Sequence, residues 1–456
     1  MRRAMISRAR WIAAAVVVAP LVATACNPRD ELVDPQAPTV IDQGAVDGPT
    51  GANGLRVGAL GAFKMQTGSG ETLWQLGGLL ADEWKSSNTS AATNEIDRRS
   101  ISTSNSSLTT AYTGIQQARG YFRNAIDAMV QWVPDDSIAK SRIGELYFGL
   151  GFLEMQMAEA LCNGVPIGEV RDGVPVYGAS KSNADLLALA GAHLDTALAL
   201  AVAKDTAYSV KIRNAALVTK ARIFVDLGQF SNASVLAAQV PTSYQYTLTF
   251  STASGLNGNW SLNTSQSAYS VSDSVDASGL LKNATPFVSA KDVRVPTTNA
   301  NKTGIDGTTP LFTTSIWANT GQIPVVSGVD ARLIDAEAKL SANDVPGMMS
   351  ILNALRTTAQ TLGTFRPAVL AALPTPATQA AATTVFFREK AFWTFGRGQR
   401  LGDLRRMIRQ YKLSADQVLP TGTYYKGGSY GADVNFPVPD VERANPQFAG
   451  CLDRNA

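Results

Sequence analysis

The chain has 456 residues, of which 45% are hydrophobic and 17% charged, so it can bury a core in one large domain or in two to three smaller ones. Its 40 Lys and Arg residues nearly balance its 37 Asp and Glu residues, and no basic run is long enough to follow a phosphate backbone. This charge pattern argues against a nucleic-acid partner. The single histidine, His193, argues against an imidazole-rich metal site, and we expect neither a metal nor a cofactor.

The N-terminus has the layout of an export signal. Four arginines lie within the first ten residues, and an apolar run from Trp11 to Ala25 follows. That run is shorter than the ~20 residues that span a bilayer, and it ends in small residues directly before Cys26. This arrangement resembles a lipobox, which predicts a signal peptide over residues 1–25 and acylation of Cys26. An ordinary signal peptide with a chance cysteine is the alternative.

Two cysteines remain once Cys26 is set aside. Cys162 and Cys451 form an even pair in an exported chain, which makes them a disulfide candidate. Two buried free thiols are the alternative, because cysteine is among the most buried residue types.

Taken in chain order, the sequence patterns predict five segments. The signal peptide (1–25) is followed by a Pro-, Asp- and Gln-rich flexible tether over residues 26–47. Residues 48–240 have helical periodicity and include a largely buried helix from Ser137, as its capping residue, to Leu161. Gly149 and Gly151 lower the helix propensity of that segment. A neighbouring helix that packs closely there would explain why glycine is tolerated.

Two stretches have the pattern of tetratricopeptide helix pairs. The first is a helix over residues 210–227 that stops at Gly228, followed by a second helix beginning near Phe230. The second pair is predicted over residues 331–340 and 344–356.

Residues 241–329 lack helical periodicity and are rich in Ser, Thr, Asn and Gly. A loop-rich region of this length in a folded chain is usually functional. Short strands are possible at residues 246–250 and 259–262. Residues 330–456 return to helical patterns and end in a turn-rich tail. In the Arg-rich stretch from Arg388 to Arg409 we expect a structural arginine–carboxylate network with Glu389 and Asp403 as acceptors.

Several motifs, in the right order, resemble those of the SusD/RagB family of nutrient-binding outer-membrane lipoproteins. The family's motif residues correspond here to Gly144-Glu145-Leu146-Tyr147-Phe148, Arg332 with Asp335-Ala336-Glu337-Ala338, Asn353-Ala354-Leu355-Arg356, Arg388-Glu389 with Phe395 to Arg406, and Phe436-Pro437-Val438-Pro439 with Asn445-Pro446. Leu401 stands where the family usually has Trp, and the order of Arg388 and Glu389 is reversed.

The resemblance implies a mostly α fold, SusD-like, with tetratricopeptide-like helix pairs and a loop-rich ligand-binding face. It also implies a surface-exposed protein, anchored by lipid to the outer membrane, that binds a glycan or an oligopeptide. The ligand would pass to a SusC-like TonB-dependent transporter as the partner.

Glycan binding needs flat aromatic side chains for stacking and amides for hydroxyl groups. The candidate ligand-binding residues are Trp84, Asn88, Trp260, Tyr269 and Trp317. The alternative for each tryptophan is a place in the core or in a contact with the transporter.

No catalytic constellation is evident, so we expect a protein that is not an enzyme. Adjacent carboxylates such as Asp82 and Glu83 point about 100° apart on a helix and would not face one sugar there. A glycoside hydrolase is therefore the weakest alternative, and a tetratricopeptide scaffold for protein partners, without a small-ligand site, is the main one.

Overall fold

The computed structural model describes residues 48–133, 136–171, 174–201, 206–273 and 284–456. The predicted signal peptide, the tether and Cys26 lie outside these residues. Helix accounts for 52% of the chain, with few short strands, which confirms the mostly α fold class. Across the described residues, no helix combines the length and the hydrophobicity needed to cross a bilayer.

Helices occupy most of the region up to residue 240, as the periodicity predicted. They are α1 (Gly48–Gly68), α2 (Leu73–Leu80), α3 (Ala91–Asp97), α4 (Ser106–Trp132), α5 (Ser137–Ala160), α6 (Asn183–Leu200), α7 (Ala207–Asp226) and α8 (Phe230–Ala237).

Six further helices follow. They are the single turn α9 (Gly258–Trp260), which continues as a π-helical turn (Ser261–Ser265), α10 (Gly328–Ser341), α11 (Val345–Thr357), α12 (Gln379–Thr394), α13 (Arg400–Arg409) and α14 (Ala415–Val418). A 3₁₀ turn, Asp440–Ala444, lies in the tail.

The strands form small antiparallel pairs rather than one sheet. The pairs are β1 (Trp84–Ser86) with β7 (Tyr269–Val271), β2 (Val165–Pro166) with β5 (Ser180–Lys181), β3 (Glu169–Arg171) with β4 (Val174–Val176), β6 (Gln245–Leu248) with β10 (Ile323–Ser327), and β8 (Thr297–Thr303) with β9 (Pro310–Thr314). The strand predicted near residue 246 is confirmed. The strand predicted at 259–262 is wrong, because the Asn257 side chain accepts a hydrogen bond from the Trp260 amide and begins a helical turn there.

The long helix α5 is buried nearly all round, as its apolar pattern predicted, and it packs against α4, α6 and α7. Its capping residue is Asp136 rather than Ser137. The Asp136 carboxylate accepts hydrogen bonds from the amides of Ile138 at 2.9 Å and Ala139 at 2.7 Å. Both residue types cap helices well, so the sequence pattern fixes the helix start only to within one position.

The glycines of α5 mark close helix contacts. A Cβ at Gly149 would lie 2.4 Å from Cε1 of Phe122 in α4, and one at Gly151 would lie 2.9 Å from the Ala190 carbonyl oxygen in α6. Both glycines are therefore needed where the neighbouring helices approach.

Replacing Gly149 with alanine should lower the free energy of unfolding by about 1–3 kcal/mol, because the Phe122 ring must leave its place in the core. Gly120→Ala in α4 is the matched control. A Cβ there meets nothing within 4 Å, so that change should raise stability by about 0.5–1 kcal/mol through helix propensity. Urea unfolding curves that move in the same direction for both variants would contradict the packing argument.

The two tetratricopeptide-like pairs are present. Helix α7 ends at a turn in which Gly228 has φ +73°, and α8 returns against it. Helix α10 ends at a turn in which Asn343 has φ 58°, and α11 packs back on it, while α8 also contacts α10. Gly and Asn are the residue types that adopt this left-handed conformation most readily, which explains both turns.

Glu389 accepts from arginines as predicted, but both partners lie outside the Arg-rich stretch from Arg388 to Arg409. Glu389 is buried on α12, and its Oε2 lies 2.6 Å from Nη1 of Arg294. Its Oε1 lies 2.8 Å from Nη1 of Arg356 on α11. The carboxylate therefore joins α12, α11 and the segment before β8.

A second buried cluster forms around Asp403 on α13. Its Oδ1 accepts from Lys390 at 2.7 Å and from Arg406 at 2.5 Å, and Arg406 also binds Glu337 of α10. Burial works to raise the pKa of Asp403, but Lys390 and Arg406 outweigh it and hold that pKa below its usual value. The ionised carboxylate thus ties α13 to α12 and α10.

The candidate disulfide is confirmed, since Cys162 and Cys451 are bonded at 2.05 Å. Cys162 follows α5 directly, and the tail is also held there by main-chain hydrogen bonds. The Cys162 amide donates to the Phe436 carbonyl at 2.7 Å, and the Leu452 amide donates to the Asn163 carbonyl at 2.7 Å. The end of α5 is thereby fixed to the C-terminal tail.

The described residues from 48 to 456 group into one compact unit. The divisions at residues 240 and 329 between the N-terminal helical region, the loop-rich region and the C-terminal region stay predictions about chain organisation.

Candidate functional site

Three of the predicted ligand-binding rings are core residues. Trp84 and Tyr269 are each 1% exposed, and Trp317 is 4% exposed. The Trp84 ring lies 4.7 Å from the Phe395 ring, and Trp84 and Trp317 both approach Gly396, which has φ +67°. A Cβ at Gly396 would lie 3.2 Å from Trp317 Nε1 and 3.3 Å from Trp84 Cζ2, closer than ordinary van der Waals contact.

The predicted stacking platform is therefore wrong for Trp84, Tyr269 and Trp317. A sugar ring needs an accessible aromatic face, and these faces pack against protein instead. The alternative that the tryptophans belong to the core is the correct one for these positions.

Trp260 and Asn88 lie at the surface, each partly exposed. The chain that follows Trp260 contacts the segment that precedes Asn88, because the Ser87 amide donates to the Ala268 carbonyl at 2.9 Å. The Ser87 hydroxyl also donates to the Ser267 carbonyl at 2.9 Å. The loop that follows Trp260 therefore contacts the segment that precedes Asn88, and the role of both residues as ligand contacts stays a prediction.

A polar cluster beside Asn88 was missed from the sequence. We call it the Lys426 cluster, and its members are Lys426, Asn88, Asn94 and Asp306. The Lys426 ammonium donates to the Asn88 carbonyl at 2.8 Å and to Asn94 Oδ1 at 3.0 Å, and it lies 2.8 Å from Asp306 Oδ2. It therefore joins three loops that are far apart in the chain.

Asp306 is a stable anion in this cluster. Partial burial works to raise its pKa, but hydrogen bonds from Lys426 and Thr309 lower the pKa to about 2. The Asp306 carboxylate is consequently ionised over the whole neutral pH range.

A buried carboxyl, that of Asp97, binds two tyrosines beside the Lys426 cluster. Asp97 accepts hydrogen bonds from the hydroxyls of Tyr424, at 2.9 Å, and of Tyr425. Burial raises the pKa of Asp97 although these tyrosines and the Ser86 amide oppose it. The Tyr425 ring also lies beneath the Lys85 ammonium, which is 4.7 Å from the ring centroid. The sequence showed a Tyr-rich tail but gave no partner for it.

A cavity near the helix pairs, which we call the Arg332 cavity, has a volume of about 690 Å³. It lies between β6, α10, α11 and the segment after α11. Seven of its twelve lining residues carry a hydroxyl or an amide side chain, one, Arg332, is charged, and the other four form an apolar wall. The polar and apolar lining includes Thr242, Ser243, Ser350, Ile351, Leu355 and Gln360. Its size suits a small ligand, but it lacks the aromatic lining that a sugar-stacking pocket needs.

Among the described residues, no three His, Cys, Asp or Glu side chains come together as a metal-ligand cluster. His193, on α6, uses its Nδ1 to contact the buried Glu154 Oε2 at 2.7 Å, and Glu154 also binds Arg119. His193 therefore lies at a helix contact, as expected from its position on the Leu-lined helix.

No protein-family model and no curated protein matches this sequence. Many solved structures of the SusD/RagB family match it across most of the chain. A SusD superfamily protein from Bacteroides fragilis has a TM-score of 0.65 and 11% identity, covering 88% of this chain and 99% of that one. A SusD/RagB family protein from Bacteroides thetaiotaomicron has a TM-score of 0.60 and 12% identity, covering 87% and 94%.

A laminarin-binding SusD-like protein has a TM-score of 0.57 and 11% identity, covering 89% of this chain and 99% of that one. At these identities the matches establish the fold. The chain therefore has a SusD-like fold, as the motifs suggested.

Proposed function

We propose that this chain is a surface lipoprotein that binds a nutrient, in the first place a glycan, and delivers it to a SusC-like TonB-dependent transporter. The observation that carries the proposal is the SusD-like fold over most of the chain, shared with a protein described as laminarin-binding. An oligopeptide is the second ligand class to test. The proposed role is binding without chemistry on the ligand.

The loop-rich face supports glycan binding. Trp260 presents a partly exposed indole, which suits the apolar C–H face of a sugar ring. Asn88 lies beside the Lys426 cluster, and its side-chain amide is of the kind that hydrogen-bonds sugar hydroxyls. The contacts of the Lys426 ammonium with the Asn88 carbonyl and with Asp306 hold the Asn88 segment in place, which lowers the entropy cost of binding.

Replacing Trp260 with alanine should weaken binding of laminari-oligosaccharides or of whichever glycan the wild-type chain selects by on the order of tenfold, because a stacking contact is lost. Isothermal titration calorimetry with the mature chain measures the change, and Asn88→Ala should act in the same direction. Trp132→Ala is the matched control, since Trp132 is also exposed but lies at the end of α4.

Gln360→Ala in the Arg332 cavity separates the two candidate locations. Loss of binding in Gln360→Ala with wild-type affinity in Trp260→Ala would move the site from the loop-rich face to the cavity. A screen of glycans and peptides in which the wild-type chain binds nothing would contradict the ligand-binding role.

Experiments in native membranes test the proposed transporter partner and the proposed membrane anchor. We expect the tagged, lipidated chain to recover a TonB-dependent barrel in stoichiometric amount from a gentle-detergent pull-down. A Cys26→Ser variant, unable to carry the acyl chain, should leave the membrane fraction. Mass spectrometry that finds an unmodified N-terminus at another residue would contradict the anchor.

A protein-binding scaffold is the second candidate. It is favoured by the two helix pairs and by a groove of about 400 Å³ between the α7–α8 turn and the end of α10, lined by residues such as Gln229, Phe230 and Ser341. Recovery of soluble partners without any barrel in the same pull-down would favour this reading.

A further inference from the structure

The Arg332 cavity carries one formal charge, and that charge has no counterpart in the lining. Arg332 is the one charged residue among the twelve that line the cavity. The other eleven come from residues 227–272 and 345–388, and neither stretch contains an Asp or a Glu. Within the described part of the chain, Arg332 forms no ion pair. The lining of the cavity is therefore positively charged.

The acidic residues that share α10 with Arg332 have other partners. Asp330 and Glu337 each pair with a buried arginine of the C-terminal region. Asp335 Oδ1 accepts from a serine hydroxyl of α8 at 2.6 Å. None of the three lines the cavity, and none is an ion-pair partner of Arg332.

The structural role of Arg332 leaves part of its guanidinium unused. Nη2 donates to the main-chain carbonyls of Ala237 and, at 3.2 Å, of Val240, which satisfies the C-terminal end of α8. These carbonyls orient the side chain but carry no formal charge. Nε and Nη1 donate to no described residue, and Nε is buried, so Nη1 is the nitrogen that a ligand can reach. An anion in the cavity would meet a cation that is already held in place.

Two glutamines in the lining offer one donor and one acceptor, and hydrogen bonds within the chain fix the orientation of their amides. Gln245 Oε1 accepts from the Gly363 amide at 2.6 Å, which leaves Nε2 without a partner among the described residues. Gln360 Nε2 donates to the Thr358 hydroxyl at 2.6 Å, which leaves Oε1 available as an acceptor. A peptide amide has one N–H and one C=O, so its two groups complement this pair.

Helix α11 supplies an apolar wall. Ile351, Ala354 and Leu355 have the i, i+3, i+4 spacing that places side chains on one helix face, and all three line the cavity. The lining includes no aromatic residue. This wall therefore suits an aliphatic side chain better than the flat face of a sugar ring.

We infer that the Arg332 cavity binds the C-terminal end of a short peptide whose last residue is aliphatic. The terminal carboxylate pairs with Arg332, the last peptide amide lies between Gln245 and Gln360, and the aliphatic side chain packs on the α11 wall. The volume of about 690 Å³ is within the range of small-molecule sites, so the end of a peptide fits. Neither Trp260 nor Asn88 lines this cavity, so the inference and glycan binding at the loop-rich face can fail independently.

The test is a ligand-observed NMR titration of the mature chain with N-acetyl-L-leucine, which has the carboxylate, the amide and the aliphatic group. N-acetyl-L-leucinamide lacks the charge, and N-acetylglycine lacks the side chain. We expect N-acetyl-L-leucine to bind at millimolar concentration or below, and each comparison compound to bind about tenfold more weakly or not at all. Absence of N-acetyl-L-leucine binding, or equal affinity for either comparison compound, overturns the inference.

Ser350→Glu should weaken binding of N-acetyl-L-leucine about tenfold or more, because the new carboxylate competes for Arg332. Ser350 is exposed on α11 and lines the cavity, so the change should not disturb the core. Thr357→Glu is the matched control, since it adds the same charge to the same helix at an exposed position outside the lining. Unchanged affinity in Ser350→Glu, or an equal loss in both variants, overturns the inference.

Discussion

Replacing Arg406 with methionine is expected to lower the free energy of unfolding by about 3–5 kcal/mol, because its buried carboxylate partners lose the positive charge that stabilises them. Arg406 binds both oxygens of Glu337, lies 2.5 Å from Asp403 Oδ1, and approaches Asp226 Oδ1 at 3.3 Å. Its side chain is 2% exposed, so water cannot take over these contacts. Urea unfolding followed by tryptophan fluorescence measures the loss.

Arg443→Met removes an arginine that is 75% exposed and serves as the control for this variant. Surface ion pairs are worth at most about 1 kcal/mol, so its unfolding midpoint should hardly move. A loss in Arg406→Met no larger than that of the control would mean that the buried cluster rearranges at little cost.

Reducing the Cys162–Cys451 disulfide is expected to cost about 2–5 kcal/mol of stability, chiefly because the bond restricts the unfolded chain. The two cysteines are 289 residues apart, so the loop that the bond closes includes most of the folded region. Urea unfolding with and without dithiothreitol measures the difference.

A Cys162→Ser/Cys451→Ser variant provides the matched control. It should have the lowered stability of the reduced chain and should not respond to dithiothreitol. If the reductant destabilises this variant as much as the wild type, the loss does not come from the disulfide.

Helices were the most predictable part of the fold, because their apolar residues repeat with the helical period over many turns. The boundaries of α7, α8, α10 and α11 follow from that period together with Gly228 and Asn343 at the turns. The start of α5 was one residue off because Asp136 and Ser137 are adjacent and both suit a cap. The segment at 259–262 failed because four residues carry too little pattern to distinguish a strand from a turn.

The candidate site was much less predictable. Trp84, Tyr269 and Trp317 lie in polar, loop-like sequence, and nothing local shows that their rings turn inward. What brings Trp84 and Trp317 together is the backbone at Gly396, far along the chain. Lys426 was missed for the same reason, since its partners are in other loops. Local patterns report which residues are apolar, but long-range packing decides which surfaces remain open.

The Lys426 cluster also bears on the order in which the chain can fold. The bond from Lys426 to Asn88 joins residues 338 positions apart, close to the two ends of the folded region. Contacts of such long range form late, since loop-closure entropy must be overcome before they contribute. A chain that is synthesised from its N-terminus would therefore have no complete Lys426 cluster until residue 426 had been added. If the loop-rich face binds a ligand as proposed, a copy truncated before Lys426 would lack part of the binding surface.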